Sequence, residues 1–171
     1  MELEDEFISV RLYRLLSSIF EDSCLIASTP KKIPVPGADI YYDINPGLGP
    51  LGGVLTALTN SSHPFTFILP CDLPFVNIHL IKHLWSARYT ADVIIPTYRD
   101  RMEPLAAFYH KNCIPKIESA LENGKRKMDS FWSGLSIQKI DLTTDFTYAE
   151  INRMFLNINS KTDLNKALYT R

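Results

Sequence analysis

Residues 65–75 read F-T-F-I-L-P-C-D-L-P-F. Phe65 to Leu69 is an unbroken run of apolar and β-branched residues closed by Pro70, which predicts a short strand buried on both faces. Just beyond it a carboxylate, Asp72, stands between Pro70 and Pro74. Ligands of an open α/β sheet collect outside the carboxyl ends of its strands. Asp72 is therefore placed where a divalent cation could be held against a phosphate. It could equally cap a helix beginning near Asn77 or satisfy turn amides. The stretch by itself leaves both readings open.

Upstream, residues 43–53 read D-I-N-P-G-L-G-P-L-G-G and hold four of the chain's seven glycines. Val54 to Leu58 follows as a helix. A glycine-rich loop entering a helix is a device for holding a nucleotide, because bare backbone comes close and free N–H groups favour negative charge. The loop lacks Gly-Lys-Ser/Thr and does not fit G-x-G-x-x-G throughout, and a tight turn is the other reading. Further upstream, Phe7, Ile8, Val10, Leu12, Leu15, Leu16 and Ile19 form one broad apolar face of an opening helix. Cys24 to Ala27 and Asp39 to Tyr42 read as short strands, separated by a proline-rich loop.

Downstream, Ile78 to Ala87 is a helix with Leu80, Ile81, Leu84 and Trp85 facing inward. His79 and His83 lie one turn apart without a third ligand, and read as surface histidines. Asp92 to Pro96 is a strand, Tyr98 to Glu103 a charged loop, and Leu105 to Tyr109 a further strand. Cys113 to Leu121 is a helix stopped by Asn123 and Gly124. Lys125, Arg126 and Lys127 read as a solvated helix end in preference to a phosphate contact. Met128 to Trp132 suggests a helical turn and Ser136 to Leu142 an edge strand. Near the end, Asn157 and Asn159 point the same way if the segment is extended. Their amides could receive a metal-bound phosphate or tie down backbone. Ser160 and Asp163 form something close to a capping box, before a helix burying Leu164, Ala167 and Leu168.

Alternating strands and helices predict an α/β fold: one domain over residues 1–171, with a largely parallel sheet covered on both faces. The net charge of −1 offers no basic footprint for nucleic acid. No apolar run reaches the roughly 18 residues of a membrane span. Glu2, Glu4, Asp5 and Glu6 are wrong for the start of a signal peptide. Cys24, Cys71 and Cys113 match no zinc or disulfide spacing, which points to a reducing cytoplasmic compartment. Asp43 with the glycine loop, Asp72, and the Asn157/Asn159 pair all fall at strand ends, and their common placement favours a site.

The order D-x-x-P-G-x-G-P-L-G-G, P-C-D-L-P-F, E-P-L-x-A-x-Y and F-x-N-I-N-x-x-x-D-L resembles the molybdenum cofactor guanylyltransferases of the MobA type, over essentially Phe7 to Leu168. The resemblance implies a three-layer α/β/α Rossmann-like nucleotidyltransferase fold. It implies transfer of GMP from GTP to molybdenum-bearing molybdopterin, with pyrophosphate released. Asp72 would bind Mg2+. Asp43 would lie on the GTP side, with Gly49, Pro50, Leu51, Gly52 and Gly53 around base and ribose. Asn157 and Asn159 would face metal or pterin, and Glu103 would enter the strand beside the pterin pocket. The partners implied are GTP, molybdopterin, and cofactor-delivery proteins or molybdoenzymes, with no nucleic acid and no membrane.

Members of that family open with a strand and the phosphate loop L-A-G-G-x-S-x-R-M-G-x-x-K, whereas residues 1–36 here contain no glycine. Met1-Glu2-Leu3 resembles the segment just after that loop's lysine. The first strand is therefore expected to be missing, through a start assigned too late, a shortened chain, or a shortened paralogue. Weak guanylyl transfer and reduced stability are the expectation. The alternatives are a related cytidylyl- or other nucleotidyltransferase, and a non-catalytic molybdopterin-binding paralogue.

Overall fold

Successive residues of the segment 93–98 point to opposite sides. Val93 and Ile95 pack in one apolar cluster with Leu51, Val54, Leu58, Tyr109 and Ile117. Ile94 and Tyr98 pack in another with Leu80, Leu84, Phe108, Ile151 and Met154. Strand alternation thus builds two cores, one on each face of a sheet, and helices close both faces. The computed structural model describes residues 2–3, 6–29, 35–44, 47–88, 91–160 and 162–164. The readings placed on Met1, Glu4, Asp5, Asn45, Pro46, Ala167 and Leu168 lie outside these residues.

In chain order the elements are β1 (Glu2–Leu3), β2 (Glu6–Phe7), α1 (Ile8–Ser17), β3 (Cys24–Ala27), β4 (Asp39–Tyr42), α2 (Gly49–Asn60), β5 (Phe65–Ile68) and α3 (Ile78–Ser86). Then come β6 (Val93–Tyr98), β7 (Arg101–Met102), β8 (Ala107–His110), α4 (Ile114–Glu122), β9 (Ile137–Asp141) and α5 (Tyr148–Met154). β3 and β4 make a parallel pair, Cys24 against Asp39 to Ala27 against Tyr42. The main sheet is ordered β5-β8-β6, with β9 on the far side of β6 and the short β7 pairing the end of β6. β5, β6 and β9 run the same way, while β8 is antiparallel to both of its neighbours. The sheet is mostly parallel with one reversed long strand, in three layers. α2 and α4 lie on one face and α3 and α5 on the other.

Burial follows the strand order. β6 and β8, inside the sheet, are buried almost throughout, whereas all four residues of β5 are only half-buried. The expectation of a strand buried on both faces is therefore met by β6 and β8 and not by β5, which ends the hydrogen-bonded order among the described residues. Three further readings change. α2 begins at Gly49 rather than Val54, because Pro50 suits the first helical turn. Trp85 remains 38% exposed although its ring meets Phe65 and Phe108. Residues 128–132 form turns only. The 99–102 segment is a tight hairpin whose first turn residue, Arg99, has φ of 51°. Among the described residues no helix is long and apolar enough to cross a membrane.

Candidate functional site

The carboxyl ends of β4, β5 and β6 lead to Asp43, Asp72 and Glu103, as expected for an open α/β sheet, whereas Asn157 and Asn159, expected at a strand end, follow α5 in a segment without strand structure. Asp43 follows β4 directly. Its N–H donates to the Ala27 carbonyl at 2.9 Å, and the next N–H, of Ile44, donates to Thr56 Oγ1 at 3.1 Å. Thr56, fully buried in α2, in turn donates to the Gly52 carbonyl at 3.0 Å. These bonds pin Asp43 between β3 and the first turns of α2. Its Oδ1 lies out of solvent with no hydrogen-bond partner among the described residues, and burial raises its pKa. A Cβ on Gly53 would meet Asp43 Oδ1 at 3.7 Å and Ile26 Cγ2 at 3.9 Å. The carboxylate therefore overlooks the bare backbone of α2. Gly49 to Gly53 is not a loop but the first turns of the helix itself.

Asp72 follows β5 by four residues. It is half-buried, and its carboxylate makes no hydrogen bond to another described residue. α3 is capped by Asn77, whose side chain accepts from Leu80 N at 3.0 Å. The capping reading for Asp72 is thereby removed. What the Asp72 backbone does is hold a second segment: its carbonyl accepts from Ile158 N at 2.8 Å. Ile158 is 2% exposed and packs with Ile8, Leu12, Leu164 and Phe75. The flanking Asn157 and Asn159 are consequently turned outward, and neither side-chain amide is bonded to another described residue. Asp72 and the asparagine pair are neighbours, and the asparagines do not tie down backbone through their side chains.

Glu103 lies beyond the hairpin that follows β6. Its N–H donates to the Pro96 carbonyl at 3.1 Å, and its carbonyl accepts from Ala106 N at 3.0 Å. Tyr109, on β8, donates from its hydroxyl to the Pro104 carbonyl at 2.5 Å. Burial raises the Glu103 pKa. Arg101 and Tyr98 oppose that rise, and the negative charge of Asp72 adds to it. The charge of Asp72 thus reaches Glu103 across the rim.

α5, which the sequence reading passed over, braces this rim. Its start is a capping box: Glu150 N donates to Thr147 Oγ1 at 3.3 Å, and Thr147 N donates to the Glu150 carboxylate at 2.8 Å. The Thr147-x-x-Glu150 spacing was the available signal. At its far end Phe155 stacks on Tyr98, centroids 5.6 Å apart and planes 5° from parallel. Arg99 lies over Tyr148 at 4.6 Å and Arg153 over Phe75 at 4.8 Å. The other basic run is elsewhere in role. Arg126 donates to the Leu121 and Lys125 carbonyls at 3.1 and 2.9 Å, closing the end of α4. His83 sits 3.6 Å from Asp145, and no group of three or more metal-binding side chains occurs among the described residues.

Residues 1–136 match the family described as "MobA-like NTP transferase domain". A Clostridium perfringens protein named "Probable molybdenum cofactor guanylyltransferase" is 28% identical over 128 residues, 75% of this chain and 64% of that protein. The chain thus spans less than two thirds of the length of that relative. A Desulfosudis oleivorans protein named "Molybdenum cofactor guanylyltransferase" is 28% identical over 158 residues, 92% of this chain and 78% of the relative. The crystal structure of molybdopterin-guanine dinucleotide biosynthesis protein A from Archaeoglobus fulgidus superposes with a TM-score of 0.81 at 22% identity, over 98% of this chain and 86% of that one. That likeness establishes a shared fold.

Proposed function

Because the chain belongs to the MobA-like NTP transferase family, we propose that it handles GTP and molybdopterin, transferring GMP from one to the phosphate of the other in the cytoplasm. The observation that carries this reading is Asp72: an unbonded carboxylate at the carboxyl end of a strand, tied through Ile158 N to the segment bearing Asn157 and Asn159. Asp43, with an unpartnered buried oxygen, and the backbone of Gly49 to Gly53 supply the donor side. Base or ribose N–H and O–H groups suit that oxygen, and the N-terminus of α2 favours phosphate.

In the reaction, an oxygen of the acceptor phosphate bonds to the α-phosphorus of GTP. The bond from that phosphorus to the bridging oxygen breaks, and pyrophosphate leaves with the electron pair. The nucleophile is already an anion near neutral pH, so the protein has no proton to remove. Its tasks are to align two anions and to neutralise their charge. Asp72, with Glu103 beside it, is a hard-oxygen donor set of the kind Mg2+ accepts when substrate phosphates and water complete its shell. Bound there, Mg2+ would supply positive charge to the phosphates. Asn157 and Asn159, with free amides, orient the acceptor.

The test is thermal stabilisation by GTP and by CTP in Mg2+, followed by assay of pyrophosphate release with molybdopterin. GTP is expected to stabilise the chain more than CTP and to yield the guanine dinucleotide product. Preference for CTP would make the chain a cytidylyltransferase, and binding of neither nucleotide would defeat the reading.

A further inference from the structure

Two anions must meet at this rim, yet two of its side chains, Asp72 and Glu103, are acids. A basic side chain beside them would help to hold the acceptor phosphate. Among the described residues, the β6–β7 hairpin and α5 carry three arginines with contacts on this side of the sheet. Arg101 pairs with Tyr98 across the hairpin and feels the charge of Glu103. Arg99 lies over Tyr148 at the outer end of the hairpin. Arg153 differs in place and in freedom. Its guanidinium carbon is 4.8 Å from the centroid of Phe75, three residues beyond Asp72 in the same turn. Its side chain is exposed and makes no ion pair with a described residue. It occupies the last turn of α5, where unpaired carbonyls favour a cation. Four residues on is Asn157, and the Ile158–Asp72 bond brings that segment back onto the turn carrying Phe75.

A guanidinium held over an aromatic ring keeps its N–H edge free, and that edge matches two oxygens of one phosphate. We propose that Arg153 binds the phosphate of the acceptor substrate, with Phe75 fixing the plane of its guanidinium beside Asp72 and Asn157. This rests on the guanylyl-transfer reading for the identity of the acceptor, but the anion site itself does not.

Two measurements on the full chain test it. Titration with molybdopterin should show Arg153→Ala weakening binding by about tenfold or more, the scale of one lost charge-assisted bidentate contact. Arg153→Lys should fall between, and GTP affinity should change by less than about twofold, since the donor site is built from other residues. Arg153 is exposed, so its loss should leave the melting temperature nearly unchanged. Separately, the Arg153 Nε–H resonance, assigned by its disappearance in the alanine variant, should shift on adding inorganic phosphate at constant ionic strength. Wild-type chain that ignores molybdopterin while this resonance still answers phosphate would sink the acceptor assignment and leave the anion site standing. A resonance that does not answer phosphate, or equal loss of GTP and molybdopterin affinity in the alanine variant, would overturn the proposal.

Discussion

The amide of Ile158 donates a 2.8 Å hydrogen bond to the carbonyl of Asp72. Through it the last described segment of the chain is fastened to the turn after β5. Ile158 is 2% exposed and anchors that fastening in apolar contacts with α1. Truncating Ile158 to Ala should cost roughly 2–5 kcal/mol, as for other buried large-to-small changes. Urea unfolding monitored by tryptophan fluorescence measures it. A loss below about 0.5 kcal/mol, the range of surface substitutions, would show that the segment is not held as described.

The cap of α5 gives a second expectation. Thr147→Ala removes the acceptor for Glu150 N and the near end of the capping box. The cost should be roughly 1 kcal/mol. The helix carries Phe155 onto Tyr98, so near-ultraviolet circular dichroism should also weaken. Unchanged stability and an unchanged aromatic signal would contradict the bracing role of this helix.

Both features bear on what the sequence discloses. β3 and β4 are legible residue for residue, because each is a short apolar or alternating run between turn formers. Asp72 was legible as a candidate and ambiguous as to role. Asn77, which caps α3, removes that ambiguity, a choice between two nearby polar residues that depends on where the helix starts. α5 is legible through the Thr147-x-x-Glu150 spacing. The reversal of β8 was not legible, since strand direction depends on pairing partners distant in sequence. The half-buried state of β5 has the same origin: its apolar run says nothing of whether a neighbour lies on both sides. Arg153 could not have been singled out, because its distinction is contact with Phe75, 78 positions away.

Acid should act through Asp92. Burial raises its carboxyl, but Ser136 N, Ser136 Oγ and Asn112 Nδ2, at 2.9, 3.0 and 2.8 Å, outweigh that and hold its pKa below the ordinary value. A carboxyl with a depressed folded-state pKa stabilises the fold above its unfolded pKa of about 3.9, and that contribution is lost as pH falls through the folded value. Asp92→Asn should therefore be less stable than wild type near pH 7, and the gap should begin to narrow below about pH 4 and close only below the depressed folded value. Urea midpoints from pH 7 to pH 2 test this. A gap independent of pH would contradict it.

The thiols should divide by environment. Cys113 is fully buried beneath the sheet, and burial pushes its pKa up to about 12. Burial also raises that of half-buried Cys24, whereas Cys71 is exposed beside Asp72. Because the thiolate is the reacting form, a disulfide reagent on the folded chain should modify Cys71 first, and Cys113 only on unfolding. Rapid native-state labelling of a Cys71→Ser variant at Cys113 would refute the packing of α4 on β6 and β8.

The carboxylate of Asp72 offers the most direct test of metal-assisted GTP binding. GTP affinity should be measured with and without Mg2+ in the wild-type chain and in Asp72→Asn, a change of charge without change of shape at a half-buried turn. Wild type is expected to bind GTP more tightly in Mg2+, and the variant to lose most of that dependence while melting within about 2 °C of wild type. An Asp72→Asn chain with undiminished Mg2+-dependent GTP binding would contradict the central claim.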